Sequence, residues 1–175
     1  LSACALPGAT LVRPGISPAI SDHPGFTRLH HTKTPQRPEG MAVAEAFAGR
    51  TNLLFLADGP DGPGSGAAVN AHIDVVAPFV PPRREGERIL GRGACDDKGG
   101  AVAIIAAIRI LADLVHAGTV ELRNAITAMF VIEEETGGNG SLSLAMDHSL
   151  RERYDSLVIF DTAGNRVCPA NRGAV

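Results

Sequence analysis

From Thr51 onward, apolar runs of strand length alternate with segments of helical period, and this alternation is what most constrains the fold. "TNLLFLA" and "AAVNAHI" flank the turn-forming cluster "DGPDGPGSG" and read as two neighbouring strands joined by a loop. Beyond "APFVPPRREGERILGRG", the stretch Lys98 to Ala117 sets Val102, Ile105, Ile108, Leu111, Leu114 and Val115 at helical spacing. "NAITAMFVI", Asn124 to Ile132, is apolar and β-branched enough for a buried strand. Ser141 to His148 reads as a short helix, and "SLVIFD" as a further buried strand ending on Asp161. Such alternation predicts an α/β fold of three layers, α/β/α, around a largely parallel sheet. Sites in such sheets lie at the carboxyl ends of the strands.

Residues 1–50 lack this texture. They are rich in Pro and Gly and are expected to form a loosely ordered leader, with a short helix at Met41 to Phe47. His23, His30 and His31 fall in this stretch without a partner motif and read as surface histidines. The chain starts at Leu1, and "LSAC" resembles the end of a lipoprotein cleavage box with no signal segment before it, so a cytoplasmic location is the expectation.

Composition narrows the function classes. With a net charge of −3, no Trp, one Tyr and no Lys/Arg cluster, the chain lacks the footprint of a nucleic-acid binder. No apolar run of about 18 residues argues for a membrane span. Cys4, Cys95 and Cys168 are widely separated and suggest neither a disulfide framework nor a zinc knuckle.

Acidic and imidazole groups gather at the expected strand ends. In "HID", His72 and Asp74 point to the same side of a strand, so Asp74 can back the ring, although the motif alone is more often an ordinary surface pair. In "GRGACDDKGG", Asp96 and Asp97 stand where a carboxylate could cap a helix, although the flanking glycines also suit close approach to a ligand. Glu133, Glu134 and Glu135 follow a buried strand, where a charge run is usually a solvated loop. Asp161 alone would be a turn former.

Taken in order, "AHIDVV", "GRGACDDKGG", "IEEETGG" and an apolar strand ending in Asp resemble the catalytic lobe of a co-catalytic metallohydrolase family. That family contains aminoacylase, carboxypeptidase G, acetylornithine deacetylase and succinyl-diaminopimelate desuccinylase, and it cleaves amide bonds. The resemblance spans residues 52–175 and is densest at Gly91 to Gly100, which makes 51–175 a partial catalytic domain. It implies His72 as the first metal ligand with Asp74 as its partner, and Asp96 as a carboxylate bridging two metals. It further implies Glu134 as general base, Glu135 as ligand of the second metal and Asp161 as the last ligand of the first. Glu133 receives no direct role and is expected to be solvated. The peptide after Asp96 is expected to be cis.

The implied cofactors are two divalent ions, zinc foremost, with cobalt or manganese as substitutes. The implied substrate is an N-acyl amino acid or a short peptide. Amide hydrolysis near neutral pH needs a nucleophile, and a metal lowers the pKa of bound water to about 7. A neighbouring carboxylate can then take the proton and pass it to the leaving nitrogen.

Relatives also have a later histidine ligand and a lid and dimerisation domain, which this sequence does not reach. A fragment of a longer enzyme is therefore expected, dimeric only with its lid. The alternatives are a truncated, non-catalytic metal-binding pseudoenzyme and a related co-catalytic zinc aminopeptidase.

Overall fold

The computed structural model describes residues 6–62 and 64–161. Cys4, Cys168 and the terminal "NRGAV" lie outside the described residues. In chain order the elements are β1 (Thr10–Val12), α1 (Val43–Ala46), β2 (Leu53–Ala57), β3 (Gly66–His72), β4 (Arg83–Glu85), β5 (Arg88–Leu90) and α2 (Lys98–His116). They continue with β6 (Ile126–Val131), α3 (Asn139–Ala145), α4 (His148–Arg151) and β7 (Tyr154–Ile159).

The main sheet runs β1-β2-β6-β3-β7. β3 is parallel to both β6 and β7, whereas β2 is antiparallel to β6 and β1 to β2. The class is α/β as expected, with a mixed sheet. β2 and β3 are not neighbours, contrary to the reading of their runs as an adjacent pair. β6, apolar on both faces, takes the central place between them.

Side chains alternate across the sheet with the period of a strand. Phe55, Ala57, Ala71, Ala128 and Phe130 face α2, while Leu54, Ala68, Met129 and Val131 face Leu144 of α3 and Leu150 of α4. Helices thus cover both faces and make three layers.

Ala101, Ile104, Ile108 and Ala112 are the buried positions of α2, whereas Val102 and Leu114 are exposed. Of the expected stripe, Ile108 is buried and Ile105, Leu111 and Val115 pack against the same core. By length and composition α2 could cross a membrane, with a mean hydropathy of 1.7. In the fold it packs against β3 as a covering helix.

The stretch expected as a loose leader supplies structure. β1 pairs with β2, and Ile16, Ile20, Leu29, Ala46 and Phe47 form a buried cluster with Ile132. α1 falls within the helix expected at Met41 to Phe47. This N-terminal layer rests on the segment just beyond β6, where the acids lie.

Candidate metal centre

β3, β6 and β7 run parallel and present their carboxyl ends on one side. His72 is the last residue of β3, the three glutamates follow β6, and Asp161 follows β7. Asp96 and Asp97 immediately precede α2 and are joined by a cis peptide, as the resemblance implied.

His72 is buried. Its Nε2 lies 2.7 Å from Asp96 Oδ1 and 4.0 Å from Glu134 Oε2. On the other side of the ring, Nδ1 lies 3.2 Å from the Asp74 carbonyl oxygen and 3.4 Å from Asp74 Oδ1. Oxygen acceptors at Nδ1 favour the tautomer that leaves the Nε2 lone pair for a metal. Burial opposes charging of the ring, but the bond to Asp96 and the charges of Asp74 and Glu134 outweigh it, so its pKa is raised.

Asp74 does more than back the ring. Its two carboxylate oxygens accept hydrogen bonds from the backbone N–H groups of Glu134, at 3.3 Å, and Glu135, at 3.2 Å. One side chain therefore ties the end of β3 to the turn after β6.

Among the described residues, one group of His, Cys, Asp and Glu offers three ligand atoms within 4.8 Å of one another, namely His72, Asp96 and Glu135. One imidazole nitrogen and two carboxylate oxygens suit zinc, with cobalt or manganese also compatible. Asp161 is not in this trio, although its charge reaches Glu134 and Asp97. The Glu134 carboxyl is pushed up, mainly by burial and further by Asp161, Glu135 and Asp74, while His72 pulls it down.

Two acids differ from their sequence reading. Asp97 is buried and accepts the His72 backbone N–H at 3.2 Å, so it secures the end of β3, while a weaker interaction with the Gly100 backbone N–H keeps it against the first turn of α2. Burial raises its pKa, and the bond from His72 opposes that rise. Gly100 is part of this arrangement: a Cβ there would lie 2.2 Å from Asp97 Oδ1 and 2.9 Å from the Phe160 carbonyl oxygen. This glycine makes room for the protein's own chain.

Glu133 is the second case. Expected to be solvated, it is 3% exposed, the most buried of the three glutamates. Arg50 pairs with its carboxylate, Thr136 Oγ1 donates to Oε2 at 2.8 Å, and His31 Nε2 lies 3.8 Å from that oxygen. Its φ of 64° is left-handed, which costs an ordinary residue roughly 1–2 kcal/mol.

The residues holding this turn were missed because they come from the supposed leader and from polar positions beside apolar runs. Asn52 accepts the Ile132 N–H at 3.1 Å and donates to the Gly140 carbonyl oxygen at 3.0 Å. Thr27 and Asn139 exchange a pair of hydrogen bonds, N–H to Oδ1 at 3.0 Å and Nδ2 to carbonyl at 2.9 Å. The one sequence signal was Asn52 itself, a lone amide at the mouth of an apolar strand.

The description of Peptidase family M20/M25/M40 matches residues 68–167, more than half of the chain, and includes His72, Asp74, Asp96, Glu134, Glu135 and Asp161. The chain belongs to this family. Within it, a Peptidase M20 domain-containing protein of Schizosaccharomyces pombe is 30% identical over 105 residues, 60% of this chain and 25% of that protein. A succinyl-diaminopimelate desuccinylase of Rhizorhabdus wittichii is 43% identical over 90 residues, 47% of this chain and 22% of that protein. The chain spans about a quarter of the length of these curated relatives. In fold it is similar to human carnosine dipeptidase 1, with a TM-score of 0.57 at 17% identity over 89% of this chain and 30% of that one.

Proposed function

We propose that the M20-family protein containing this chain is a metal-dependent hydrolase of amide bonds in N-acyl amino acids or short peptides. The observation that carries this reading is the convergence of His72, Asp96 and Glu135 within 4.8 Å, with Glu134 Oε2 4.0 Å from the same imidazole nitrogen. The desuccinylase among the relatives supports an acylated amino-acid substrate.

His72, Asp96 and Glu135 would hold divalent metal, zinc foremost, with Asp161 as a further ligand and two ions as the expected complement. Divalent metal supplies Lewis-acid chemistry that makes a water acidic near neutral pH and polarises an amide carbonyl. Glu134, bound through neither of its oxygens to another side chain at hydrogen-bond distance among the described contacts, takes the proton from water and delivers it to the leaving nitrogen. Its raised pKa suits a group that must both accept and return a proton. Asp74 keeps the His72 ring and the Glu134 and Glu135 backbone in register.

In the full-length protein, Glu134→Ala should lower the hydrolysis rate of an N-acyl amino acid by about 10²–10⁴-fold, with bound metal near wild type. Unchanged activity would remove Glu134 from the mechanism.

A further inference from the structure

Behind the two acids that face the metal centre stands a third, held in the left-handed conformation by residues far upstream. We infer that Glu133, locked by Arg50, is a positioning residue that sets the backbone from which Glu134 and Glu135 project. The inference rests on the metallohydrolase reading and extends it to side chains that touch neither substrate nor metal.

The segment after β6 is fixed in three steps. Ile132 N–H donates to Asn52 Oδ1, which ends the strand. Glu133 then takes a positive φ, and its carbonyl accepts the Gly138 N–H at 2.6 Å, closing the turn. The next two N–H groups, of Glu134 and Glu135, both meet the Asp74 carboxylate. Asp74 holds the turn from the side of the metal centre, and the Glu133 carboxylate holds it from behind through Arg50, Thr136 and His31.

Only the Glu133 side of this pair is buried, and the Arg50 side chain is open to solvent. An ion pair with one exposed partner adds little stability, so the buried carboxylate is better explained by the geometry it fixes. Without the carboxylate, Glu133 loses its grip on Arg50 and the turn is free to return to negative φ. Both following N–H groups would then leave Asp74.

The test compares Glu133→Gln, Glu133→Asp and Arg50→Gln in the full-length, metal-loaded protein, with Glu134→Ala assayed in parallel. Glu133→Gln is expected to lower kcat about 10–100-fold, the range for residues that orient metal-site groups, while KM stays near wild type. Glu133→Asp, which keeps the carboxylate, should recover most of that loss, and Arg50→Gln should reproduce it. A readout independent of activity is hydrogen exchange at the Glu134 and Glu135 amides in metal-free protein, expected to accelerate in Glu133→Gln and Arg50→Gln. Wild-type kcat and wild-type exchange in Glu133→Gln would overturn the inference, as would a lowered melting temperature with both unchanged. Should Glu133→Gln not fold, Arg50→Gln decides, since its side chain is 42% exposed and its loss leaves no cavity. If Glu134→Ala leaves hydrolysis intact, the functional reading fails, and the exchange data still judge the positioning role.

Discussion

β6 and β7 both lead into acids on the same side of the sheet, yet the two strand ends are built differently. β6 lies at the centre of the sheet and is buried along nearly its whole length. The turn beyond it is bonded to Thr27, Arg50, Asn52 and Asp74, so Glu134 and Glu135 leave a backbone that is fixed from both sides. Among the described residues β7 lies at the edge of the sheet with Leu157, Val158 and Ile159 exposed, and Asp161 beyond it stands outside the donor trio. The turn after β6 is thus held by side chains from other segments, whereas beyond β7 the Phe160 backbone N–H donates to the Asn70 carbonyl oxygen.

Substitutions within the two strands test that contrast. Phe130→Ala in β6, at a 3% exposed position facing α2, should cost about 3–5 kcal/mol in chemical denaturation. A loss below about 1 kcal/mol would contradict the central role of β6.

The segment that delivers the chain to β7 offers a smaller effect. Asp147 accepts N–H bonds from Ser149 and Leu150 and the Ser149 hydroxyl at the start of α4. Removing this cap in Asp147→Ala should cost about 1 kcal/mol. The Ser149 hydroxyl bond is the main reason its pKa is lowered, so folding favours the ionised form. Its contribution is therefore present above the ordinary Asp pKa of about 4 and is lost as pH falls through the lowered folded value. The difference between Asp147→Ala and wild type should be full at neutral pH and vanish in strong acid. A pH-independent difference would mean that the cap acts by packing alone.

Val158→Ala in β7 should change stability least, by no more than about 0.5 kcal/mol, because the side chain is 56% exposed. An effect as large as that of Phe130→Ala would show that β7 is covered in the working protein.

The same contrast marks what could be read from sequence. The runs that became β2, β3, β6 and β7 were visible, because apolar segments of strand length leave few other structures. The order of acids along them carried the family resemblance that implied His72, Asp96 and Glu135 as ligands, and the fold brings these three side chains together. Pairing was not legible: nothing local in "TNLLFLA" says that β6 will separate it from β3. Glu133 looked like Glu134 and Glu135 because its burial is set by Arg50 and His31, roughly a hundred residues away in sequence. The further role of Asp97 was not legible because the His72 N–H that it accepts belongs to a strand end 25 residues earlier. The contact face of α2 includes the expected Ile105, Ile108, Leu111 and Val115, while Ala101 and Ala112 were not legible because small residues carry little weight in a hydrophobic pattern.

In the proposed function, His72, Asp96 and Glu135 form a metal centre organised from the ends of β3 and β6. Titration of the metal-free, full-length protein with zinc, followed calorimetrically for wild type and His72→Ala, tests it most directly. Wild type should bind zinc saturably and His72→Ala should lose at least about tenfold in affinity, with the fold retained by circular dichroism. Equal binding by the two proteins, or none by wild type, would contradict it.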